Sequence, residues 1–310
     1  MPTFSVIIPT HNSEDFIEET IKSVIDQTFK DFELIIIDDG SENRTRDILT
    51  KYKNSDPRIR IVITPNSGGP TTPTNIGISL ATGSYIAFLD HDDTWAKTKL
   101  ETLVREYKNN PHVGFILSNV RTYSEHTHTS SLSKTKIRNR QAAEEDLLAG
   151  KYFNTFSMIS IRQEVLNRVG SLDTNLLIFS DYDIITRMIS FNIPHIFLAE
   201  PLVTYRIHTH NTSSLSSSAQ KRAEDLQRIV TKYAKTFSKN KKSLSHVHHA
   251  IGSLYLYLGD VLQARKHYKI ALKNNPLNIF MYLRLLFAQL GQNPYRFFIS
   301  LKKKAFRNVS

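Results

Sequence analysis

The sequence predicts an α/β fold, a mixed sheet flanked by helices with a small all-α region behind it, and three observations carry that expectation. The first hundred residues alternate short, continuous apolar runs with amphipathic stretches, the pattern of buried parallel strands and their crossover helices. Carboxylates and small turn residues collect just past three of those runs. Beyond Ser218 the pattern reads helical throughout.

Strands are expected at Phe4–Pro9, Phe32–Ile37, Ile59–Ile63 and Tyr85–Leu89. Between them, Glu14–Gln27 places Phe16, Ile17, Ile21, Val24 and Ile25 on one helical face, and Arg44–Tyr52 does the same with Ile48, Leu49 and Tyr52. Farther on the pattern turns mixed. Strands are expected at Val113–Val120, Phe156–Ile161, His195–Leu198 and Leu202–Ile207, a polar loop at Ser124–Ser133, and helices at Ala142–Leu148 and from near Asp181. A polar, Ser-rich stretch at Thr209–Ser218 marks a boundary, giving domains 1–210 and 211–310. Near 246–276, Leu254 through Asp260, Ala264, Tyr268, Ala271-Leu272 and Pro276 fit one tetratricopeptide-like hairpin, with a plain helical hairpin as the alternative.

Composition narrows the function classes. Hydrophobic residues at 40% and charged residues at 22% are ordinary for a globular protein, and disorder drops out. With no cysteine, disulfide frameworks, thiolate nucleophiles and cysteine-bound zinc are excluded. The start, Met1-Pro2-Thr3-Phe4, does not read as a signal peptide and no run is long enough to span a bilayer, so a cytoplasmic protein is expected. The net charge of +11 favours anionic partners. No zinc-finger, helix-turn-helix or ribonucleoprotein pattern is present, so nucleic acid is not expected among them. Basic and aromatic residues interleave over Arg296–Arg307, which predicts a peripheral contact with the inner face of the cell membrane or else a solvated helix.

Ligands of open α/β sheets sit beyond the carboxyl ends of the strands. Three such ends stand out here: Pro9-Thr10-His11-Asn12, Asp38-Asp39-Gly40-Ser41 and Asp90-His91-Asp92-Asp93. A short Asp cluster at a strand end suits Mg²⁺ or Mn²⁺, which takes few protein carboxylates and fills its octahedron with phosphate oxygens and water. Asp residues after a strand also serve as turn formers and helix caps. Two acidic clusters on one rim repel, so a cation or a hydrogen-bonding ligand is expected to compensate them.

Taken together, Ser5–Asn12, Gln27–Ser41, Asn66–Gly77 and Tyr85–Trp95 resemble, in order and spacing, the successive signatures of family 2 glycosyltransferases with the GT-A (nucleotide-diphospho-sugar transferase) fold. The resemblance implies an inverting, metal-dependent transfer of one sugar from a nucleotide-diphospho-sugar, here a UDP-sugar. The acceptor would be a saccharide, glycolipid or glycoprotein hydroxyl, in surface polysaccharide or glycoconjugate biosynthesis. Pro9, Thr10, His11 and Asn12 then resemble the loop flanking the base, Asp39 the carboxylate that accepts from its N3–H, and Asp38 a support for the loop or ribose. Asn66, Gly69 and Asn75 resemble the segment near the diphosphate, where backbone N–H groups and a helix start suit phosphate. Asp90 resembles the first Asp of the DxD element, with His91 beside it, and Asp92 the principal metal ligand. His208, in Tyr205-Arg206-Ile207-His208, resembles a third metal contact or a diphosphate partner. Asp181, in Phe179-Ser180-Asp181-Tyr182-Asp183, resembles the general base. Two positions depart from the pattern: Thr74 stands where an Arg is usual and Ser180 where a Glu is usual.

Rival readings have weaker support. The Gln-x-x-Arg-Trp element of processive synthases is missing, and neither GxGxxG nor GxxxxGK[ST] occurs. A glycoside hydrolase also uses paired carboxylates but needs no such cluster on a βαβ rim. Thr74 and Ser180 motivate the remaining alternative, a non-catalytic scaffold built on a degenerate transferase domain. The spacing of His126, His128, His210, His246, His248 and His249 matches no zinc motif.

Overall fold

A computed structural model describes residues 1–132, 140–151, 155–176, 178–208 and 215–290. The strands are β1 (Phe4–Thr10), β2 (Phe32–Asp39), β3 (Ile59–Thr64), β4 (Tyr85–Phe88), β5 (Thr94–Trp95), β6 (Phe115–Ser124), β7 (Thr129–Leu132), β8 (Ile159–Arg162) and β9 (His195–Ile207). Helices α1 (Ile17–Ile25), α2 (Thr45–Ser55), α3 (Thr71–Leu80), α4 (Lys99–Asn109), α5 (Arg140–Leu148), α6 (Gln163–Val169) and α7 (Ser180–Ser190) alternate with them. The remaining helices are α8 (Leu215–Lys232), α9 (Ala234–Lys239), α10 (Lys241–Leu258), α11 (Val261–Asn274) and α12 (Ile279–Leu290).

The strands form one mixed sheet in the order β3-β2-β1-β4-β8-β6-β9-β5, with β7 paired to β6. Every residue of β1 is buried, as is all of β2 except Glu33, which requires cover on both faces and explains their unbroken apolar runs. β1, β2, β3 and β4 are mutually parallel, whereas β8 runs antiparallel to β4 and β6. From β1 the chain steps outward to β2 and β3, then returns to β1's other side as β4. That reversal opens a crevice between the carboxyl ends of β1 and β4. Pro9 is tolerated in a central strand for the same reason: β4 ends at Phe88, opposite Ile7, so β1 has outrun that neighbour before it reaches Pro9.

Several boundaries differ from the sequence expectations. Among the described residues of the polar loop, Glu125–His128 forms the turn, because Arg121–Ser124 pairs antiparallel with Thr129–Leu132. Phe156–Met158 is a 3₁₀ turn rather than strand: the Thr155 hydroxyl accepts the Ser157 N–H at 3.1 Å and caps it. His195–Leu198 and Leu202–Ile207 are one strand, interrupted by a register irregularity where Asn119 pairs with Pro201 and Val120 with Val203.

The chain divides into two compact units. One contains residues 1–143, 152–176 and 180–211, and the other 144–151, 177–179 and 212–310. A boundary near 210 therefore does not capture the short segments that join the helical unit. Within that unit, Ser243 Oγ donates to the Glu145 carbonyl at 2.7 Å, and Asp225 accepts the Ile178 N–H at 2.8 Å. Helix α10 ends at Gly259 in a left-handed cap (φ 88°), and Asp260 caps α11. The two helices approach closely where Gly252 faces the Tyr268 ring, at a distance that leaves no room for a side chain. Arg296–Arg307, the segment read as a membrane contact, lies outside the described residues.

Gly77 in α3 lies against β1, where an added Cβ would meet Ile7 Cγ2 at 2.4 Å. Gly77→Ala is expected to destabilise by ~1–3 kcal/mol despite alanine's better helix propensity. Ile7→Leu in the same chain, which removes the clashing methyl, should recover part of that loss in urea denaturation.

Candidate active site

Two polar clusters occupy the crevice side of the sheet. The first joins the ends of β1, β2 and β3. Thr10 and Ser13 share a hydroxyl–hydroxyl hydrogen bond, and the Ser13 N–H donates to Thr45 Oγ1 at 2.8 Å. Asn12 has positive φ (46°), a conformation Asn tolerates, and is fixed by its N–H on Ser41 Oγ and by its Oδ1 accepting the Glu42 N–H. His11 Nδ1 lies 2.9 Å from the Asp39 carbonyl and so carries the proton. Its Nε2 then accepts from the amides of Asn12 and Asn66, at 3.1 and 3.3 Å. Gly40 is required where it stands: φ is 75°, and a Cβ would approach the Asn66 backbone N to 2.7 Å.

Asp38 and Asp39 are both buried, yet they do different work. Asp38 Oδ1 accepts the Ser41 N–H and Oδ2 pairs with Arg46 Nε, each at 3.0 Å, so this carboxylate holds its own loop. Asp39 accepts from the Ser67 N–H and Oγ, bringing the Asn66–Gly69 segment over the end of β2. Asn66 Oδ1 closes that turn on the Gly68 N–H at 2.7 Å, and the Gly69 carbonyl accepts from Ser67 Oγ. Asn75 is occupied in the fold: both ends of its amide bond the Leu172 backbone, at 2.9 and 2.8 Å. It thereby ties α3 to the stretch that leads into α7. Thr74 is buried, with its hydroxyl on the Pro70 carbonyl.

The second cluster is the loop after β4. Thr155 Oγ1 lies 2.7 Å from Asp90 Oδ2 and 2.6 Å from Asp93 Oδ2, and Ser157 Oγ also donates to Asp93 at 2.6 Å. The Asp90 N–H donates to Ser157 Oγ, and the Arg206 N–H to Asp93 Oδ1. From α1, the Thr20 hydroxyl contacts the His91 and Asp93 carbonyls at 2.8 and 2.9 Å. Arg206 spans the cluster, with Nε on the Asp92 carbonyl and its terminal nitrogens on Glu125 and Glu19. Burial, with Asp92 adding its charge, pushes the Asp90 carboxyl up to about 6. Burial first, then Asp90 and Asp92, holds Asp93 well above the usual carboxylate range.

Of the three side chains expected at a metal, Asp92 and His208 meet, with Oδ2 and Nε2 3.0 Å apart. The His208 ring lies against Phe16, centroids 4.2 Å apart. Asp90 turns instead to Thr155, and among the described residues no group of three or more His, Asp or Glu side chains is arranged to hold a metal. Asp181 is half-buried on the first turn of α7, where its Oδ1 accepts the Tyr182 N–H. Asp183 is instead a buried structural partner of Arg187. Thr20, Thr155 and Ser157 were missed by sequence reasoning; each is a common residue whose role comes from a partner at least 64 positions away.

The glycosyl transferase family 2 profile matches residues 5–170, a span that contains the first cluster and the aspartates of the second, while Arg206 and His208 lie beyond it. The chain belongs to this family. It is 46% identical over 100 residues to TuaG of Bacillus subtilis, which carries a provisional name as a teichuronic acid biosynthesis glycosyltransferase. That match covers 32% of this chain and 40% of TuaG, so the chain spans about two fifths of this relative's length. Among solved structures, residues 1–349 of S. aureus TarS superpose with a TM-score of 0.65 at 19% identity, covering 88% of this chain and 81% of that one. The mannosyltransferase PcManGT of Pyrobaculum calidifontis, solved with GDP-Man and Mn²⁺, gives 0.62 at 17% identity, covering 97% and 84%. At these identities the likeness is one of fold: a GT-A mixed sheet flanked by helices, as in this family-2 chain.

The raised carboxyls predict a pH signature for the metal-free protein. Between the unfolded carboxylate value near 4 and about 6, the folded state holds more protons than the unfolded state, so stability falls as pH rises through that window. The expected loss is ~1–3 kcal/mol. Asp90→Asn should reduce that loss, leaving the part due to Asp93, as read by denaturant titrations at pH 4.5 and 7 in chelator-treated buffer.

Proposed function

We propose that the chain transfers a single sugar from a UDP-sugar to an acceptor hydroxyl with inversion, as a non-processive enzyme of surface polysaccharide or glycoconjugate biosynthesis. The observation that carries this reading is the pair of clusters at the switch of the sheet, one suited to a base and the other a crowd of acids suited to a cation and diphosphate. In the first, Asp39 lies at fixed depth behind Thr10 and His11, where one acceptor can read a base N3–H and the imidazole can stack on the ring. Ser67, its present donor, sits on the Asn66–Gly69 turn, whose backbone N–H groups and adjoining α3 start suit phosphate.

In the second cluster, three neighbouring carboxyl groups, two of them with raised proton affinity, form a site that a divalent cation would relieve. Asp92, with His208 beside it, would hold Mn²⁺ or Mg²⁺, and the few protein ligands leave positions for phosphate oxygens and water. When bound, the cation offsets the charge that grows on the leaving diphosphate. Asp181 acts on the acceptor. Its carboxylate takes the hydroxyl proton as the oxygen bonds the anomeric carbon, while the bond to the diphosphate breaks on the opposite face and the nucleotide departs. The acceptor is a saccharide, lipid-linked or protein-linked hydroxyl.

Turnover of a UDP-sugar panel, with GDP-mannose included, in the presence of Mn²⁺ tests the assignment. Donor hydrolysis with a UDP-sugar is expected; neither turnover nor UDP binding would leave the scaffold reading in place. Asp92→Asn should abolish the metal-dependent part of UDP binding in calorimetry, and normal binding would refute its role. Asp181→Asn should keep donor affinity within a few-fold while transfer drops by about 10²–10⁴. Wild-type transfer by that variant would remove Asp181 as the base.

A further inference from the structure

Charge is unevenly distributed along the chain. Residues 1–214 carry 22 Lys and Arg against 26 acids, whereas residues 215–290 carry 13 against Glu224, Asp225 and Asp260 alone. The net positive charge therefore resides in the C-terminal helical part of the chain. In that unit α11 and α12 share cores built on Ala264, Tyr268 and Ala288, and on Ala271, Leu272 and Met281.

Away from those cores the same helices present two exposed rows. On α12, Ile279, Tyr282, Leu283 and Leu286 follow the i, i+3, i+4, i+7 spacing of one helical face and are 73%, 51%, 47% and 50% exposed. Leu277, in the turn before them, is 89% exposed. On α11, Leu262, Lys266, Lys269 and Lys273 fall on one face and are all exposed. Lone exposed apolar residues need no explanation, but a contiguous row marks an interaction surface.

We propose that the α11–α12 hairpin docks on an anionic lipid bilayer. Leu277, Ile279, Tyr282, Leu283 and Leu286 enter the headgroup boundary, and the α11 lysines pair with lipid phosphates. Charge complementarity selects this occupant. An exposed apolar row on α12 and an exposed lysine row on α11, with Asp260 the one acid between 241 and 290, match an interfacial hairpin on anionic lipid. A second copy would instead bring two strongly positive units together. The surface lies on described helices, distinct from the basic 291–310 segment, and the inference stands whether or not the chain transfers sugar.

Co-sedimentation of the full chain with vesicles tests it. The chain should pellet with vesicles of phosphatidylglycerol and phosphatidylcholine in roughly equal amounts, stay in solution with phosphatidylcholine alone, and be released by high salt. Leu283→Glu with Leu286→Glu, at positions already half in water, should weaken binding by roughly tenfold or more. Lys266→Gln with Lys269→Gln, which leaves the apolar row intact, should weaken it several-fold. Both variants should keep the wild-type far-ultraviolet circular dichroism. The proposal is overturned if the chain ignores anionic vesicles, or if the double-Glu variant pellets like the wild type, which would assign binding to general positive charge. A concentration-dependent dimer that the double-Glu change abolishes would equally overturn it, by naming a second copy as the occupant.

Discussion

Three aspartates within four residues, two of them pressed into protein, must be kept from forcing the loop after β4 apart, and much of the surrounding polar structure is organised around that constraint. Asp93 is fully buried and accepts from Thr155, Ser157 and the Arg206 backbone. Those bonds come from two separate parts of the chain, the turn before β8 and the end of β9. Thr20 adds a third, from α1. The loop is thus held by elements that meet only when the mixed sheet has closed. A buried carboxylate with such donors is tolerable; one without them would cost several kcal/mol.

The cluster at the ends of β1, β2 and β3 depends on a gentler version of the same logic. Asp38 and Asp39 lie at the end of one strand, but alternation sends their side chains to opposite faces. Asp38 therefore meets Arg46 and its own loop, while Asp39 reaches across to Ser67. Gly40 permits the close approach of Asn66, and His11 is oriented from both ring nitrogens. The geometry is preorganised by backbone contacts among three strand ends, so the cluster needs no movement of the sheet to present an acceptor and a ring side by side.

The helical unit obeys different rules. Its stability rests on close approach of small residues to Tyr268 and on cores shared by successive helices. Its outer surface gathers positive charge and apolar side chains that the transferase clusters do not use. One chain thus combines a mildly acidic sheet-based unit with a strongly basic helical one.

The sequence by itself determined the α/β alternation, the first four strands to within one or two residues, the family resemblance and the short list of strand-end carboxylates. Those features are local: apolar periodicity, turn residues and contiguous motifs act over a few positions. Tertiary structure alone decided which partner satisfies each carboxylate. It gave Asp38 to Arg46, Asp183 to Arg187 and Asn75 to Leu172, and set Asp92 beside His208. It also merged two expected strands into β9, capped the 3₁₀ turn at Thr155, and moved residues 144–151 and 177–179 into the helical unit. The reason is physical. A polar side chain's role is fixed by the partner that satisfies it, and partners such as Thr155 for Asp90 or His208 for Asp92 lie 65 and 116 residues away. No local pattern encodes that separation.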